Sequence, residues 1–475
     1  MTNHADIEHN GEVSSSFFFS AAVRVVALFF VSVSFCHCVM AEDRVAVAAA
    51  ASYQVSVTGH DLSVYGARTL DAPFNDGRWN YGGDYAFANF DMAVPVTVRI
   101  TSSQSLLHVV VRPEFPEIKV HVESEHVMTI TFAAPRKISI EPDGKHQPLL
   151  LFGNPPDAVV SPGPGVVYFG PGFHDVGQIR LTNNQTLYLA ADAVVKGGIV
   201  ADGQNIRIVG RGILDSSEYA WGQGPSSGVI ALCGTNLEIN GITIRGASRW
   251  TVVPRNSRQV VIRNLKICGS RVQNDDGIDV CNSQDVLVTD CFIRSDDDCV
   301  ALKGLELTPD ANVEHVVVTN CTLWCDRARI FLLGHESRAP FMRDIRLQNL
   351  DIIHFTMTPF LFQPGEEMRL EDVRVDDVRL HGEGQHEVIR VEPVINQYMR
   401  KQVPGHVDDI QFSNLRLTGA EGEYAIYLHG HDNQHLTQNV RFENINFLGQ
   451  AVTNGSRFVK IFGFTENISL PSAGK

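Results

Sequence analysis

An eight-residue strand pattern recurs nine times between Ile206 and Phe447, and no other feature limits the fold of this chain so strongly. It reads IRIVGRGI from Ile206, LEINGITI from Leu237, VVIRNLKI from Val260, VLVTDCFI from Val286 and VVVTNCTL from Val316. It continues as IRLQNLDI from Ile345, VRVDDVRL from Val373, IQFSNLRL from Ile410 and VRFENINF from Val440. Repetition at this period signals stacked supersecondary units. The starts differ by 31, 23, 26, 30, 29, 28, 37 and 30 residues, too irregular for a leucine-rich horseshoe and too rich in strand for a helical repeat. Each rung is apolar at its first, third and eighth positions and carries Asn, Asp or Gly at its fifth. That pattern describes a strand that turns a corner, because Asn and Asp tolerate the left-handed backbone and can bond a stacked copy of themselves. A second short strand follows several corners, as in Gly277-Ile-Asp-Val280, Cys299-Val-Ala-Leu302, Ile330-Phe-Leu-Leu333, Val388-Ile-Arg-Val391 and Ala425-Ile-Tyr-Leu428. The expected fold is all-β: a right-handed parallel β-helix over 166–470, with neighbouring rungs about 4.8 Å apart.

A chain of 475 residues exceeds what one compact core supports, which fits an elongated repeat with an added domain. Residues 52–140 alternate apolar and polar positions in short runs, such as Tyr53-Gln-Val-Ser-Val57 and Val127-Met-Thr-Ile-Thr-Phe132, divided by turn clusters such as Asn75-Asp-Gly77. They read as a small N-terminal β-sandwich. Residues 141–165, rich in Pro and Gly, read as a linker.

Residues 1–41 read as a secretory signal peptide, with the apolar run Val25–Phe35 behind Arg24 and Val39-Met-Ala41 as a small-x-small cleavage site. The alternative is an uncleaved anchor, since Phe17–Met40 is long enough to span a bilayer. Cleavage would remove Arg24, Asp6, Glu8 and Glu12 and leave 38 basic against 51 acidic side chains, a net charge of −13. Such a body is not built to neutralise phosphates, so nucleic acid is excluded as a partner. The expected protein is a secreted monomer with no membrane contact after cleavage. Seven cysteines would remain, an odd number, so at least one is unpaired. Cys291 and Cys321 share the sixth position of neighbouring rungs and read as stacked thiols rather than a bridge.

Aligning the second strands on Ile278 and Val300 puts Asp276 and Asp298 in one column on adjacent coils, with Asp297 beside them. Like charges one rung apart cannot both ionise freely, so the cluster can supply an acid and a base at one pH. Glycoside hydrolysis needs that pair, one carboxylic acid for the leaving oxygen and one carboxylate for water or direct attack. An exposed acidic corner or a calcium site would use the same residue types.

The run Asn274-Asp-Asp-Gly-Ile-Asp279 followed by Ser295-Asp-Asp-Asp-Cys-Val-Ala-Leu-Lys303 resembles the paired Asn-Thr-Asp and Asp-Asp motifs of polygalacturonase-type pectinases, glycoside hydrolase family 28. The resemblance covers roughly 165–460 and implies a pectin-lyase-like β-helix. It also implies an inverting hydrolase with Asp297 as general acid and Asp276 plus Asp298 holding the attacking water. The head, together with Tyr168-Phe-Gly-Pro-Gly-Phe-His-Asp-Val-Gly177 and Tyr188-Leu-Ala-Ala-Asp-Ala-Val-Val-Lys-Gly197, is also similar to the related dextranase family, number 49. Two motifs depart from the pectinase pattern. Arg329 stands where the family has a histidine, with His335 a few residues on, and Arg390-Val-Glu392 is a partial match to the Arg-Ile-Lys motif that meets the galacturonate carboxylate.

The expected catalytic residues are therefore Asp276, Asp297 and Asp298, with Asn274, Lys303, Arg329, His335 and Arg390 as substrate ligands. Trp250 and Trp324 are candidates for stacking on sugar rings or for capping the core. His429, His431 and Asp432 form a weak metal pattern, and neither a metal nor a cofactor is assigned. The expected partner is a polysaccharide, foremost pectin or a related uronide. A neutral glucan, lyase chemistry and a non-catalytic glycan-binding β-helix are the rival readings. An inverting pair should stand roughly 6.5–9.5 Å apart.

Overall fold

The computed structural model describes residues 51–308 and 310–472; the expected signal peptide at 1–41 lies outside them. From Tyr53 onward the described chain consists of strands, turns and loops with no helix. From Val166 to Glu466 it builds one 27-stranded sheet that coils on itself, the parallel β-helix expected from the repeat.

The nine rungs stack in the register that their sequences share. Ile206 pairs with Leu237, Leu237 with Val260, Val260 with Val286, Val286 with Val316 and Val316 with Ile345. Ile345 then pairs with Val373, Val373 with Ile410 and Ile410 with Val440. First and third positions, and the eighth from the second rung on, point into one continuous apolar core, while Ile213 of the first rung packs in a separate cluster with Tyr85, Phe87 and Phe152. Burying one such side chain contributes roughly 1.5–3 kcal/mol, and a column of parallel rings, Phe412 on Phe442 at 5.3 Å and 5°, extends the packing along the axis.

Every fifth-position residue, Gly210, Gly241, Asn264, Asp290, Asn320, Asn349, Asp377, Asn414 and Asn444, has positive φ, as a corner requires. A second corner, missed in the repeat, precedes each rung: Asn205, Asn236, Gln259, Asp285, His315, Asp344, Asp372, Asp409 and Asn439 also have positive φ. Some corner side chains form ladders, with Asn205 donating to Asn184 and Asn236 donating to Asn205, each at 2.8 Å.

The second strands stack as well: Ile278, Val300, Phe331, Phe360, Ile389 and Ile426 lie in one column. Phe360–Gln363 is the member that the repeat did not reveal.

The head is two five-stranded sheets. Its extent differs from the sequence reading, because Leu149–Asn154, inside the expected linker, is a central strand pairing with Tyr85–Asp91 and Lys137–Lys145. The reason is two-sided burial. Leu149 and Leu151 face the core of the sandwich, while Leu150 and Phe152 pack with Tyr85 and Phe87 onto Phe292 and Trp324 of the β-helix. A strand covered on both faces reads as a plain apolar run, with no alternation to announce it. The seven cysteines among the described residues are free thiols.

Candidate active site

The coil carrying Asp276 and the coil carrying Asp298 are locked by Gly277 N–H to Asp298 O at 2.9 Å and Ile278 N–H to Cys299 O at 3.0 Å. Gly277 sits where a Cβ would come within 2.4 Å of the Cys299 carbonyl, so this close approach of coils admits only glycine. Asp275, between Asn274 and Asp276, turns inward and accepts from the backbone N–H of Asp296 (2.6 Å) and of Arg271 (3.0 Å), tying the two motifs together. As a result one carboxylate oxygen from each of Asp276, Asp297 and Asp298 lies within 4.8 Å of the others.

These carboxylates are unequally buried. Asp276 and Asp298 are 2% and 3% exposed, whereas Asp297 is 9% exposed and the most open of the three. Burial, followed by the charge of Asp279, pushes the Asp276 carboxyl well above the usual range. Burial and then the neighbouring Asp297 charge push Asp298 up to about 7. The buried Asp276 Oδ1 has no hydrogen-bond partner among the described residues. Burial thus favours the protonated carboxyl at Asp276 and Asp298, so the site can hold a proton that acid and base chemistry on one sugar needs.

Charge compensation comes from Lys303, itself 2% exposed. Its Nζ lies 2.9 Å from Asp279 Oδ1 and 3.3 Å from Asp276 Oδ2, and 3.7 Å from the centre of the Trp250 ring. Burial alone would lower its pKa, but Asp279, Asp276 and Glu336 hold it well above the usual value. Lys303 thus supports the aspartates. Trp250 covers that lysine, and Trp324 is fully buried at the seam with the head, its Nε1 donating to Asp326. The expectation that Trp324 could stack on a sugar is overturned, because its ring lies under the Arg294 guanidinium at 3.9 Å.

Asp297 is held by N–H donors. Its Oδ2 accepts from Arg327 Nη2 (2.8 Å) and from Asn274 Nδ2 (3.2 Å), and its Oδ1 accepts from the Asp298 backbone N–H (3.1 Å). The same Arg327 Nη2 donates to Asp296 Oδ2 at 2.6 Å. Asp296 in turn accepts from the Tyr81 hydroxyl of the head at 2.6 Å, and Tyr81 O accepts from Arg294 Nη2 at 2.7 Å. The sequence places Asp296 in the aspartate run without giving it a role, and it marks neither Arg327 nor Tyr81, since no signal places residue 81 beside residue 296.

The remaining expected ligands spread along the axis. Arg329 sits on the next coil, its backbone N–H donating to Asp298 Oδ1 (3.1 Å) and its guanidinium 3.8 Å from that oxygen. His335 bonds Gln363 Oε1 through Nδ1 at 3.1 Å and lies against Tyr398; burial pushes its pKa down. Arg390 is paired with Glu387 and, at 3.2 Å, with Glu392, and its guanidinium covers the Tyr427 ring. It stands three coils beyond Asp298, about 14 Å along the axis.

One oxygen from each of the three carboxylates lies within 4.8 Å of the others, whereas the spacing of roughly 6.5–9.5 Å of an inverting pair is a separation of whole carboxyl groups. The same three oxygens are close enough to grip a divalent cation.

Comparisons with known proteins accord with this geometry. Residues 193–324, which include both aspartate motifs, match the profile of glycosyl hydrolases family 28. An exopolygalacturonase of Cochliobolus carbonum is 26% identical over 169 residues, 33% of this chain and 36% of that protein. A probable endo-xylogalacturonan hydrolase A of Aspergillus niger is 30% identical over 136 residues, 26% of this chain and 32% of that protein. The chain thus spans about a third of the length of these relatives. Among solved structures, Dex49A from Penicillium minioluteum superposes with a TM-score of 0.65 at 19% identity, covering 88% of this chain and 93% of that one. The family 28 exopolygalacturonase of Yersinia enterocolitica gives 0.52 at 13% identity, covering 89% and 94%. These likenesses establish the parallel β-helix fold.

Proposed function

We propose that this chain hydrolyses O-glycosidic bonds of a polysaccharide, with Asp276, Asp297 and Asp298 as its reacting groups. The carrying observation is the convergence of three buried carboxylates from two adjacent coils within 4.8 Å. Burial raises the Asp276 and Asp298 carboxyls above the usual range, so the cluster holds fewer negative charges than carboxyls. Asp297, the most open, is the donor to the leaving oxygen, as the family resemblance implies. Asp276 and Asp298 hold the water, again as the family resemblance implies. Inversion is what the family resemblance implies. The first-formed reducing end, followed by proton NMR, carries the opposite anomeric configuration if inversion holds; retention would move one aspartate to the role of nucleophile.

The favoured substrate is a pectin-type uronide, in line with the relatives named above. Its carboxylate would meet Arg329, the cleft cation with the loosest ion pair, at 3.8 Å. A neutral glucan is the second reading, favoured by charge: Lys303, Arg327 and Arg390 are each already satisfied by two or more carboxylates. Release of reducing ends from polygalacturonate, rhamnogalacturonan and dextran separates the two. A rise in ultraviolet absorbance on cleavage would instead identify lyase chemistry. Export follows from the apolar leader, and a mature N-terminus near Ala41 or Glu42 is its test. Among the described residues no helix is long and apolar enough to cross a membrane.

A further inference from the structure

Away from the aspartates, three successive coils bring two histidines and a glutamate together at one edge of the β-helix. Glu367 lies in the turn after Phe360–Gln363, His406 opens the strand His406–Gly419, and His435 stands just before Thr437–Gln438. The backbone fixes them as neighbours. Glu367 N–H donates to Pro404 O (2.9 Å), His406 N–H to Met368 O (2.9 Å) and Val407 N–H to Leu436 O (3.3 Å). His406 Nε2 lies 3.0 Å and His435 Nε2 3.6 Å from Glu367 Oε2, and all three atoms fall within 4.8 Å of one another.

We propose that His406, His435 and Glu367 form a zinc site that staples these three coils. Tetrahedral zinc with bonds of about 2.0–2.1 Å sets its ligands about 3.4 Å apart, and the two His-to-Glu distances straddle that spacing. Two imidazoles and one carboxylate are a donor set suited to zinc. His435 is also oriented as zinc ligands usually are. Its Nδ1 donates to Asp432 Oδ1 at 2.9 Å, and that oxygen is itself fixed by the backbone N–H of Gln434 (2.8 Å) and of His435 (3.0 Å). A carboxylate on Nδ1 selects the tautomer whose Nε2 lone pair is bare. That nitrogen faces Glu367 Oε2 at 3.6 Å, where a zinc ion would take the place of the proton that otherwise joins them. The Glu367 side chain is 57% exposed, leaving an open side for water as the fourth ligand. The sequence pointed near this place, but with His429 and His431; of that trio only Asp432 belongs to the site, as the partner of His435.

The test is calorimetric titration of the untagged, chelator-stripped full chain with zinc chloride. One zinc per chain with a Kd below about 1 µM is expected, together with a zinc-dependent rise in Tm. His406→Gln, His435→Gln and the exposed Glu367→Gln should each weaken binding at least 100-fold and abolish the Tm response. Asp432→Asn should weaken it about 10- to 100-fold. Glu367→Gln replaces a surface carboxylate and keeps the proposal testable if a histidine variant fails to fold. Binding no tighter in the native chain than in these variants would overturn the site. Binding that survives His435→Gln but disappears in Asp297→Asn would also overturn it, placing the ion on the aspartates.

Discussion

Asp298 joins chemistry to stability in a single side chain. Its folded-state pKa is about 7, against about 3.9 for an unfolded aspartate. Between those values the unfolded state binds fewer protons, so this residue makes the fold less stable as pH rises through about 4 to 7. Asp298→Asn should therefore lose at least 10²-fold in rate while raising Tm, with a larger gain at pH 7.5 than at pH 4.5. An unchanged or lower Tm at pH 7.5, measured by calorimetry, would contradict the assignment. Tyr81→Phe removes the hydroxyl that holds Asp296, which shares Arg327 with Asp297. A hydrogen bond to a charged group contributes roughly 1.5–3 kcal/mol, so kcat should fall about 10-fold with KM nearly constant. A change confined to KM would place Tyr81 in substrate binding instead. Asp276, Asp297 and Asp298 could be read from the sequence because they lie in short motifs on neighbouring coils. Tyr81 could not, because its role depends on how the head docks, and Arg327 could not, because no motif marks it.

The repeat made the β-helix legible at the scale of elements. Apolar positions one, three and eight predict the core, and Asn, Asp or Gly at position five predicts the corner. The second corner is masked in the sequence because Gln259 stands in its column among the Asn, Asp and His residues, and Gln is not a usual left-handed residue. Leu149–Asn154 escaped for the opposite reason: it is apolar on both faces, and its Pro- and Gly-rich flanks hid it. Corner ladders should bear load. Asn205 has φ 56° and bonds both Asn184 and Asn236. Asn205→Val loses both bonds and strains a β-branched residue at positive φ, which should cost about 2–4 kcal/mol. Urea denaturation measures it, and a loss below about 0.5 kcal/mol, the range of ordinary surface substitutions, would deny the ladder that role.

The head and the β-helix share one apolar seam, with Tyr85, Phe87, Leu150 and Phe152 of the head on Phe292, Trp324 and Ile353 of the helix. Buried polar links cross it, Lys266 Nζ to Asn154 Oδ1 at 3.0 Å and His354 Nε2 with Glu141 Oε1 at 2.9 Å. Separating the two parts would expose the apolar seam to water. One calorimetric unfolding transition is therefore expected, and two resolved transitions would show that the head is independent. The same seam delivers Tyr81 to the catalytic coils, so the head takes part in shaping the site. The central claim, that the aspartate trio breaks glycosidic bonds, is tested most directly by reducing-end release from polygalacturonate and dextran by the native chain and by Asp297→Asn. The account predicts hydrolysis of at least one polymer by the native chain and a loss of at least 10²-fold in Asp297→Asn at unchanged Tm; near-native rates in Asp297→Asn would contradict it.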